Sequence, residues 1–532
     1  MGSSSKPNIL MIVTDQECGL SSFPAGFLSR LPGHAKLLER GLHVRNYQVH
    51  TTPCSPSRSN IYTGQHTQLT GIYENTNTTA SATLPVDMPT VGTMLRTAGY
   101  RTIYKGKWHL SSINGVRNWN REVRPTYPAT HNALEAYGFS DYFFDGEEVG
   151  LTWGGFQTDH VVAADACRMI ETLSESGDQA PWFMAVNLVN PHDIMFYDAT
   201  GHQSETRAAP DRVGLMSREP TTPLYAEDLG YDLPVSFYKD DLSTKPEMQR
   251  AIAQWETPLY GTLPRADEAS WKRFINYYYN CIRDVDRHIE TLLWALETFG
   301  QLENTIILFT ADHGERGGAH GLRQKGGTIY KEEINVPMII AHPDGPRGAE
   351  TDGLMGAVDI APTLLGLAGL STAQQQSAFP ALKGVDVSAL VSAPSAKTAR
   401  DARGHLYNLG VIYNWAMGPE SRPGKPVYDL TKRRLHRGVF DGRYKFARYF
   451  APAQHHIPET WEELTGKNDL ELYDTSADPH EIDNLARAPE AMKHVLMRCN
   501  AMTSALIATE IGADMGQEYP GPVSQYTAMD AA

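Results

Sequence analysis

The chain has 532 residues, of which 41% are hydrophobic and 20% are charged, a composition typical of a globular protein with a large core. Its formal net charge of −15 argues against a nucleic-acid partner, because such a partner requires a basic surface. For the same reason, an anionic small-molecule ligand would need a locally basic site. No apolar run approaches the roughly 20 residues of a membrane span, so we expect no membrane partner.

The cysteines and the first apolar run indicate a cellular location. Five cysteines with wide spacing do not form a disulfide framework, and their odd number leaves at least one thiol free. Cysteines this sparse are typical of a reducing compartment. The run from Ile9 to Val13 is too short for the hydrophobic region of a secretory signal, and Asp15 follows almost at once. We therefore expect a cytoplasmic location.

Short apolar runs alternate with helical patterns through the first part of the chain. The predicted elements are strands at 8–14 and 100–104, a helix at 160–173, a strand at 182–189, a helix at 271–296 and a strand at 305–310. Strand, helix and strand in repetition indicate an α/β fold. We predict a large mixed, mostly parallel sheet that is sandwiched by helices.

The sequence pattern changes after residue 395, so we predict a catalytic domain at 1–395 and a smaller subdomain at 396–532. Segments 404–413, 435–449 and 470–473 have the pattern of antiparallel strands separated by turns, which predicts a small α+β unit. Residues 195–265 form a long polar insertion, and insertions of this length are usually functional or mobile. The last 20 residues predict an extended tail, a candidate arm for a homo-oligomer.

Polar side chains follow each predicted strand of the large sheet. They are Asp15 and Gln16, then Lys107 and His109, then His192, and finally Asp312 and His313. Ligands of open α/β sheets bind beyond the carboxyl ends of the strands. We therefore expect these side chains to form one polar site at a single rim of the sheet.

Cys54 lies in a segment that predicts the start of a helix. Ser55 is a natural N-cap, and Pro56 suits the first helical position. Cys54 would then lie beside free backbone N–H groups that favour an anion, and Arg58 would add a positive charge one turn later. Considered alone, Cys54 is either a buried structural thiol or a thiolate nucleophile with a lowered pKa.

A family resemblance changes that interpretation. The string Cys54-Ser55-Pro56-Ser57-Arg58 resembles the Cys-x-Pro-Ser-Arg signature of the type I sulfatases, members of the alkaline phosphatase superfamily. The resemblance extends over residues 7–370 through Asp15, Gly106-Lys107-Trp108-His109, Pro191-His192, Asp312-His313-Gly314, Lys325 ahead of Tyr330, and Val336-Pro337. Residues 470–486 resemble the C-terminal segment of the same family. The resemblance implies an alkaline-phosphatase-like fold and the hydrolysis of sulfuric esters.

The resemblance also implies a mechanism. In that family a maturation enzyme, here an implied partner, oxidises the signature cysteine to formylglycine. The hydrated aldehyde is a geminal diol that attacks sulfur and displaces the alcohol, and its second hydroxyl then loses a proton so that sulfate is released. His109 is implied as the base for that proton, and Arg58 and Lys107 as groups that orient the diol. His192 and Lys325 are implied to bind the sulfate oxygens and to assist the leaving group.

One divalent cation is implied as a cofactor. Its ligands would be Asp15, Gln16, the formylglycine at Cys54, Asp312 and His313. Many sulfatases have Asp-Asp at the first pair and Asp-Asn at the second, whereas this chain has Asp-Gln and Asp-His. The family favours Ca²⁺, while an imidazole ligand makes Mn²⁺ the alternative.

Two other functions remain open. A phosphonate monoester or phosphodiester hydrolase uses the same formylglycine, and the Asp-Gln and Asp-His pairs resemble that branch. Lys107 and His109 favour a sulfatase, because the phosphonate branch has neutral groups in place of these two residues. A binding protein without chemistry would have lost site residues, and every expected position is filled. We predict a hydrolase of small-molecule sulfate esters, with aryl sulfates preferred because a phenolate leaves with little acid help.

Overall fold

A computed structural model of the chain describes residues 6–76, 83–111, 132–142, 152–207, 216–409, 431–451, 454 and 457–514. The strands in these residues are β1 (Asn8–Asp15), β2 (Leu42–Gln48), β3 (Arg101–Gly106), β4 (Trp182–Pro191), β5 (Thr305–Ala311), β6 (Met338–Ala341), β7 (Ala349–Gly356), β8 (His405–Leu409), β9 (Leu435–Phe440), β10 (Tyr444–Phe450) and β11 (Asn468–Asp474).

The α-helices of the same residues are α1 (Pro32–Arg40), α2 (Cys54–Thr63), α3 (Thr67–Thr70), α4 (Val91–Thr97), α5 (Gly154–Glu175), α6 (Pro223–Ala226), α7 (Val235–Lys239), α8 (Glu247–Tyr260), α9 (Glu268–Thr298), α10 (Lys331–Ile334), α11 (Ile360–Leu367), α12 (Thr372–Ala378), α13 (Ala389–Ser392), α14 (Ala399–Arg403), α15 (Trp461–Lys467) and α16 (Lys493–Glu510). Within the described ranges, none of the helices is long and apolar enough to cross a membrane.

The larger sheet has seven strands in the order β3-β4-β1-β5-β6-β2-β7. Its pairs are parallel except those of β6, which runs antiparallel to β5 and β2. The predicted mixed, mostly parallel sheet is therefore confirmed. Sequence analysis did not identify β2, β6 or β7. β6 has only four residues, and β7 exposes Glu350 and Asp352 at the sheet edge, where charged side chains are common.

Helices cover both faces of this sheet. Strands β1 and β5 are buried along their whole length, as expected for central strands between two helical layers. On one face, Ile170 of α5 and Leu292 of α9 pack in the same apolar cluster as Ile12 of β1. On the other face, Ile61 of α2 packs with Met11 of β1. The predicted helices 160–173 and 271–296 lie inside the longer α5 and α9, and the helix-sheet-helix layering is confirmed.

A second sheet follows in the C-terminal part of the chain. Its four antiparallel strands have the order β11-β10-β9-β8, as expected for a small α+β unit. Segment 435–449 forms the β9–β10 hairpin, and β8 begins the predicted strand at 404–413, whose remainder lies outside the described residues. The tail beyond residue 514 also lies outside them. A domain boundary at residue 395 stays a prediction.

The described part of the 195–265 insertion is an ordered layer with short helices, α6 and α7, and the longer α8. The Tyr197 ring stacks on Tyr277 of α9, with ring centroids 4.2 Å apart. Nε2 of Gln249 in α8 donates to Oε2 of Glu471 in the small sheet at 2.9 Å. The insertion therefore connects the long helix of the large domain to the C-terminal sheet.

Arg400 of α14 connects the C-terminal helix α16 to Asp359, directly before α11. Its guanidinium is fully buried and donates to both carboxylate oxygens of Asp359 at 2.9 and 2.6 Å, and to Oε1 of Glu510 at 2.5 Å. Burial raises the pKa of Glu510, but the charge of Arg400 and the bond from His66 outweigh it and hold that pKa at about 2.

Replacing Arg400 is expected to destabilise the protein strongly. Arg400→Ala leaves the carboxylates of Asp359 and Glu510 buried without their main counter-charge, which costs about 3–5 kcal/mol of unfolding free energy. Urea titration followed by far-UV circular dichroism measures that loss. Arg403→Ala, an exposed position in the same helix, is the control and should change stability by less than about 0.5 kcal/mol. Equal effects of the two variants would contradict this assignment.

Candidate active site

The polar residues predicted at the strand ends lie at one rim of the large sheet. Asp15 ends β1, His192 directly follows β4, and Asp312 directly follows β5. Because β6 is antiparallel to β5, the connection between them, which carries Lys325, lies at the same rim. Strand β2 is antiparallel to β6 and therefore parallel to β5, so it also ends at this rim, where the following loop leads to Cys54.

The helix at Cys54 starts earlier than the sequence predicted. Helix α2 begins at Cys54 itself, so Ser55 is not the N-cap and Pro56 is the third helical residue. Ser55 has another use, because its Oγ donates to the carbonyl oxygen of His109 at 2.5 Å. Its N–H donates to Oδ1 of Asn75 at 3.1 Å. The prediction that Cys54 lies at a helix N-terminus is confirmed.

Cys54 belongs to a group of four buried donor atoms. One ligand atom each from Asp15, Cys54, Asp312 and His313 lies within 4.8 Å of the other three. The Cys54 Sγ lies 3.2 Å from Nε2 of His313 and 3.8 Å from Oδ1 of Asp15. Two carboxylates, an imidazole and the side chain of residue 54 form a donor set that suits a divalent cation.

Fixed cations balance the two carboxylates. Arg58 donates from Nε to Oδ2 of Asp312 at 2.8 Å, and its Nη2 lies 3.4 Å from Oδ2 of Asp15. Lys107 donates to the same oxygen of Asp15. Burial opposes the charge on Asp15, but the positive charges of Lys107 and Arg58 outweigh it and hold its pKa well below the ordinary value. The structure thus brings the predicted basic groups together on a protein that is acidic overall.

Gln16 lies beside the donor group and contacts Lys325. Its backbone N–H donates to Oδ1 of Asp312 at 3.1 Å. Its amide oxygen accepts a hydrogen bond from Lys325, and its amide nitrogen donates to Oε2 of Glu315 at 2.5 Å. These contacts place Lys325 in the site as predicted. The role of Gln16 as a metal ligand stays a prediction.

Two of the three site histidines, His109 and His192, have lowered pKa values that favour the neutral form. Burial is the main cause that lowers the pKa of His109 well below 6.5, and the charges of Lys107 and Arg58 add to it. Burial also lowers the pKa of His192, helped by the nearby Lys325. A neutral imidazole accepts a proton, as the role predicted for His109 requires.

Sequence analysis missed several residues that shape the site. Asn187 of β4 accepts hydrogen bonds at Oδ1 from Arg58 at 3.1 Å and from the hydroxyl of Tyr62 at 2.7 Å. The Tyr278 hydroxyl donates to the carbonyl oxygen of Gln16 at 2.8 Å and accepts from the N–H of Cys18 at 2.9 Å. Asn187 is the one polar residue in the apolar run 182–189, a signal that could have identified it.

The fold is that of the alkaline-phosphatase-like class, and its rim carries a buried donor group that suits a divalent cation. Residues 7–370 match the sulfatase family model, and residues 318–507 match a model described as N-sulphoglucosamine sulphohydrolase, C-terminal. The first match covers well over half of the chain, and the protein belongs to the sulfatase family.

Two curated relatives and one solved structure are similar to this chain. An arylsulfatase of Volvox carteri is 25% identical over 94% of this chain and 74% of its own length. A Delta 4,5-hexuronate-2-O-sulfatase of Bacteroides thetaiotaomicron is 24% identical over 92% of this chain and 86% of its own. The solved phosphonate monoester hydrolase from Silicibacter pomeroyi has a TM-score of 0.65 at 17% identity, covering 95% of this chain and 96% of that one, a likeness of fold alone.

Loss of one site carboxylate is expected to release the cation. Asp312→Asn removes a charge from the four-atom donor group, which should weaken metal affinity by more than the roughly 10- to 100-fold typical of an outer partner. Inductively coupled plasma mass spectrometry after dialysis measures the metal content per chain. The control is Asp165→Asn, the same change in a carboxylate of α5 that pairs with Lys105 of β3. Unchanged metal content in Asp312→Asn would exclude this residue as a ligand.

Proposed function

We propose that the protein hydrolyses small-molecule sulfuric esters, with aryl sulfates as the preferred class, through a formylglycine made from Cys54. The observation that carries the proposal is the position of Cys54, buried at the start of α2 and grouped with Asp15, Asp312 and His313. A structural thiol packs among apolar side chains, whereas this one is surrounded by charged groups. A partner enzyme that oxidises Cys54 is part of the proposal.

The first chemical step is transfer of the sulfuryl group to residue 54. Hydrated formylglycine carries two hydroxyls. The oxygen of one forms a bond to sulfur while the bond from sulfur to the alcohol oxygen breaks, and the proton of that hydroxyl ends on the departing alcohol. In this proposal His192 and Lys325 bind the sulfate oxygens and stabilise charge on the departing oxygen. Arg58 and Lys107 hold Asp15 and Asp312 in place around residue 54.

The second step releases sulfate. His109 takes the proton of the remaining hydroxyl, the carbonyl bond of the aldehyde forms, and the bond from carbon to the sulfate oxygen breaks. Water then adds to the aldehyde and restores the diol. The neutral state of His109 suits it to accept this proton.

The donor group around residue 54 is the proposed cation site. A bound divalent ion supplies Lewis-acid stabilisation of negative charge there. We propose Ca²⁺, which the sulfatase resemblance favours, with Mn²⁺ as the alternative because the nitrogen of His313 is a softer donor.

An apolar wall beside Lys325 supports an aryl leaving group. The wall consists of Phe196, Tyr260 and the partly buried Met195. The Sδ atom of Met195 lies 3.5 Å from Nζ of Lys325. Met195 packs with Phe196 and Tyr260, and the Phe196 ring lies 5.9 Å from that of His192. Thioether and aromatic surfaces favour a flat, apolar group over a heavily hydroxylated sugar.

Phosphonate monoester hydrolysis is the second candidate, favoured by the Asp-Gln and Asp-His pairs and consistent with the shared fold. Lys107 and His109 favour a sulfate ester as the substrate, because the phosphonate branch has neutral groups at these two positions. The two candidates differ in the preferred ester, so matched phenyl esters of sulfate and phosphonate discriminate between them. A higher kcat/KM for the sulfate is the expected outcome.

The test of the proposal starts with residue 54. In protein coexpressed with a formylglycine-generating enzyme, the tryptic peptide that contains Cys54 should lose about 18 Da, because an aldehyde replaces the thiol group. Aryl sulfatase activity should rise with the modified fraction and be absent in Cys54→Ala. Active protein with an unmodified Cys54 would contradict the formylglycine mechanism. The Cys54 thiolate would then be the candidate nucleophile.

The pH dependence follows from the lowered pKa of His109. Since its neutral form persists well below pH 6.5, kcat for an aryl sulfate should stay level between about pH 8 and pH 6, without a decline centred near the ordinary histidine pKa. A bound cation would lower this pKa further, so the expected direction is the same in the metal-loaded enzyme. A pH–rate profile with saturating substrate measures it.

His109→Ala provides the matching variant. Without the base for the second step, it should release about one equivalent of phenol in a burst and then slow. The residue 54 peptide should then be about 80 Da heavier than its diol form, or about 98 Da heavier than its aldehyde form, because SO₃ is bound. A wild-type rate that falls through pH 6.5, or a variant with steady turnover and no adduct, would contradict the role given to His109.

A further inference from the structure

Glu333 is a buried carboxylate of α10 that lies outside the residues assigned to the chemistry. It is fully buried. Its two oxygens accept hydrogen bonds from the Thr52 hydroxyl at 3.0 Å, the Gly326 N–H at 2.6 Å, Arg316 Nη1 at 2.8 Å and the Thr328 hydroxyl. Four donors on one carboxylate make this residue a junction between segments that are distant in sequence.

One of these segments carries the nucleophile. Thr52 lies two residues before Cys54, where the chain enters α2, and its side chain is fully buried. The bond from Thr52 to Oε1 of Glu333 therefore fixes the chain just before residue 54.

A second segment carries Lys325. Gly326 directly follows Lys325, and its N–H donates to Oε1 of Glu333, the same oxygen that accepts from Thr52. Thr328 donates to the other oxygen. A single carboxylate oxygen thus sets the distance between the chain at Lys325 and the chain at residue 54.

A third segment carries His313. The N–H of Gly314 donates to the backbone oxygen of Glu333 at 2.7 Å. Arg316, two residues further, pairs with Glu333 and also donates to the carbonyl oxygen of Gly326 at 2.8 Å. Arg316 therefore closes the loop that leads from the metal-ligand segment to Lys325.

We propose that Glu333 is a positioning residue that holds Lys325 at the leaving-group oxygen of the sulfate ester. The inference rests on the proposed sulfuric ester hydrolysis. Glu333 acts through Thr328, Gly326 and Thr52, while Lys325 acts on the substrate. A displacement of about 1 Å at such a group is enough to cost roughly 100-fold in rate.

The dependence of rate on the leaving group separates this role from a structural one. Lys325 stabilises charge on the departing oxygen, so its help matters most for phenols of high pKa, which leave poorly. Loosening Lys325 should slow those esters strongly and esters of acidic phenols little. General loss of folded protein lowers all rates by the same factor. It therefore leaves unchanged the slope of the logarithm of the rate against the pKa of the phenol.

The experiment measures kcat/KM for a series of substituted phenyl sulfates with wild type, Glu333→Gln and Glu332→Gln. The last is the matched control, the same substitution at the neighbouring position of α10. Glu333→Gln should lose about 10- to 100-fold on the least acidic phenols and a few-fold on the most acidic, giving a steeper slope against phenol pKa. Glu332→Gln should keep the wild-type slope.

A milder pair of variants guards against misfolding of Glu333→Gln. Thr328→Val removes one hydroxyl donor to Glu333 and keeps the side-chain shape, and Thr503→Val makes the same change in the buried face of α16. Thr328→Val should steepen the slope, and Thr503→Val should not. Wild-type slopes in both Glu333→Gln and Thr328→Val would overturn the proposal.

Failure of the proposed function has a different signature. If wild-type protein with modified Cys54 is inactive on every phenyl sulfate but hydrolyses phenyl phosphonates, the sulfate assignment is wrong. The same slopes measured on the phosphonate series then decide the role of Glu333, with a steeper slope supporting it and an unchanged slope overturning it.

Discussion

The site depends on charge compensation between groups that water does not reach. Asp15 and Asp312 are fully buried, and an uncompensated buried carboxylate costs several kcal/mol. Arg58 contacts both, and Lys107 adds a second cation at Asp15. Each charge is therefore stable only in the presence of the others. This constraint explains how an acidic protein maintains a basic site for an anionic ester, since the cations are fixed by the carboxylates that also suit a metal.

The topology of the sheet delivers these groups to one place. Parallel strands bring Asp15, His192 and Asp312 to a common rim, and the antiparallel β6 returns the chain so that Lys325 lies at the same rim. The backbone is not relaxed there. His109 has a φ of 58°, in the left-handed region that costs a non-glycine residue about 1 kcal/mol or more. Packing of the surrounding elements has to maintain that conformation, as at many functional sites.

Sequence patterns predicted the parts of the molecule that are governed by local rules. The apolar runs located the central strands, and the strand-end rule located Asp15, His192 and Asp312, because neither inference needs knowledge of long-range contacts. Asn187 and Glu333 were not identified, since Asn187 binds Arg58, more than 100 positions away, and Glu333 joins its near neighbours to Thr52, more than 250 positions away. Ser55 was assigned to the wrong position in its helix for the same reason: its side chain is bound by the distant His109. Tertiary contacts overrode the local capping preference.

The departure from the common sulfatase pattern at Gln16 has a physical consequence for Lys325. The neutral amide oxygen of Gln16 accepts a hydrogen bond from Lys325 and orients it without cancelling its charge. An aspartate at this position would form an ion pair with Lys325 and would reduce the positive charge offered to a substrate. The amide also uses its nitrogen to bond Glu315, so that its orientation is fixed from both ends. Gln16 thus orients Lys325 beside the donor group without placing a compensating negative charge on it.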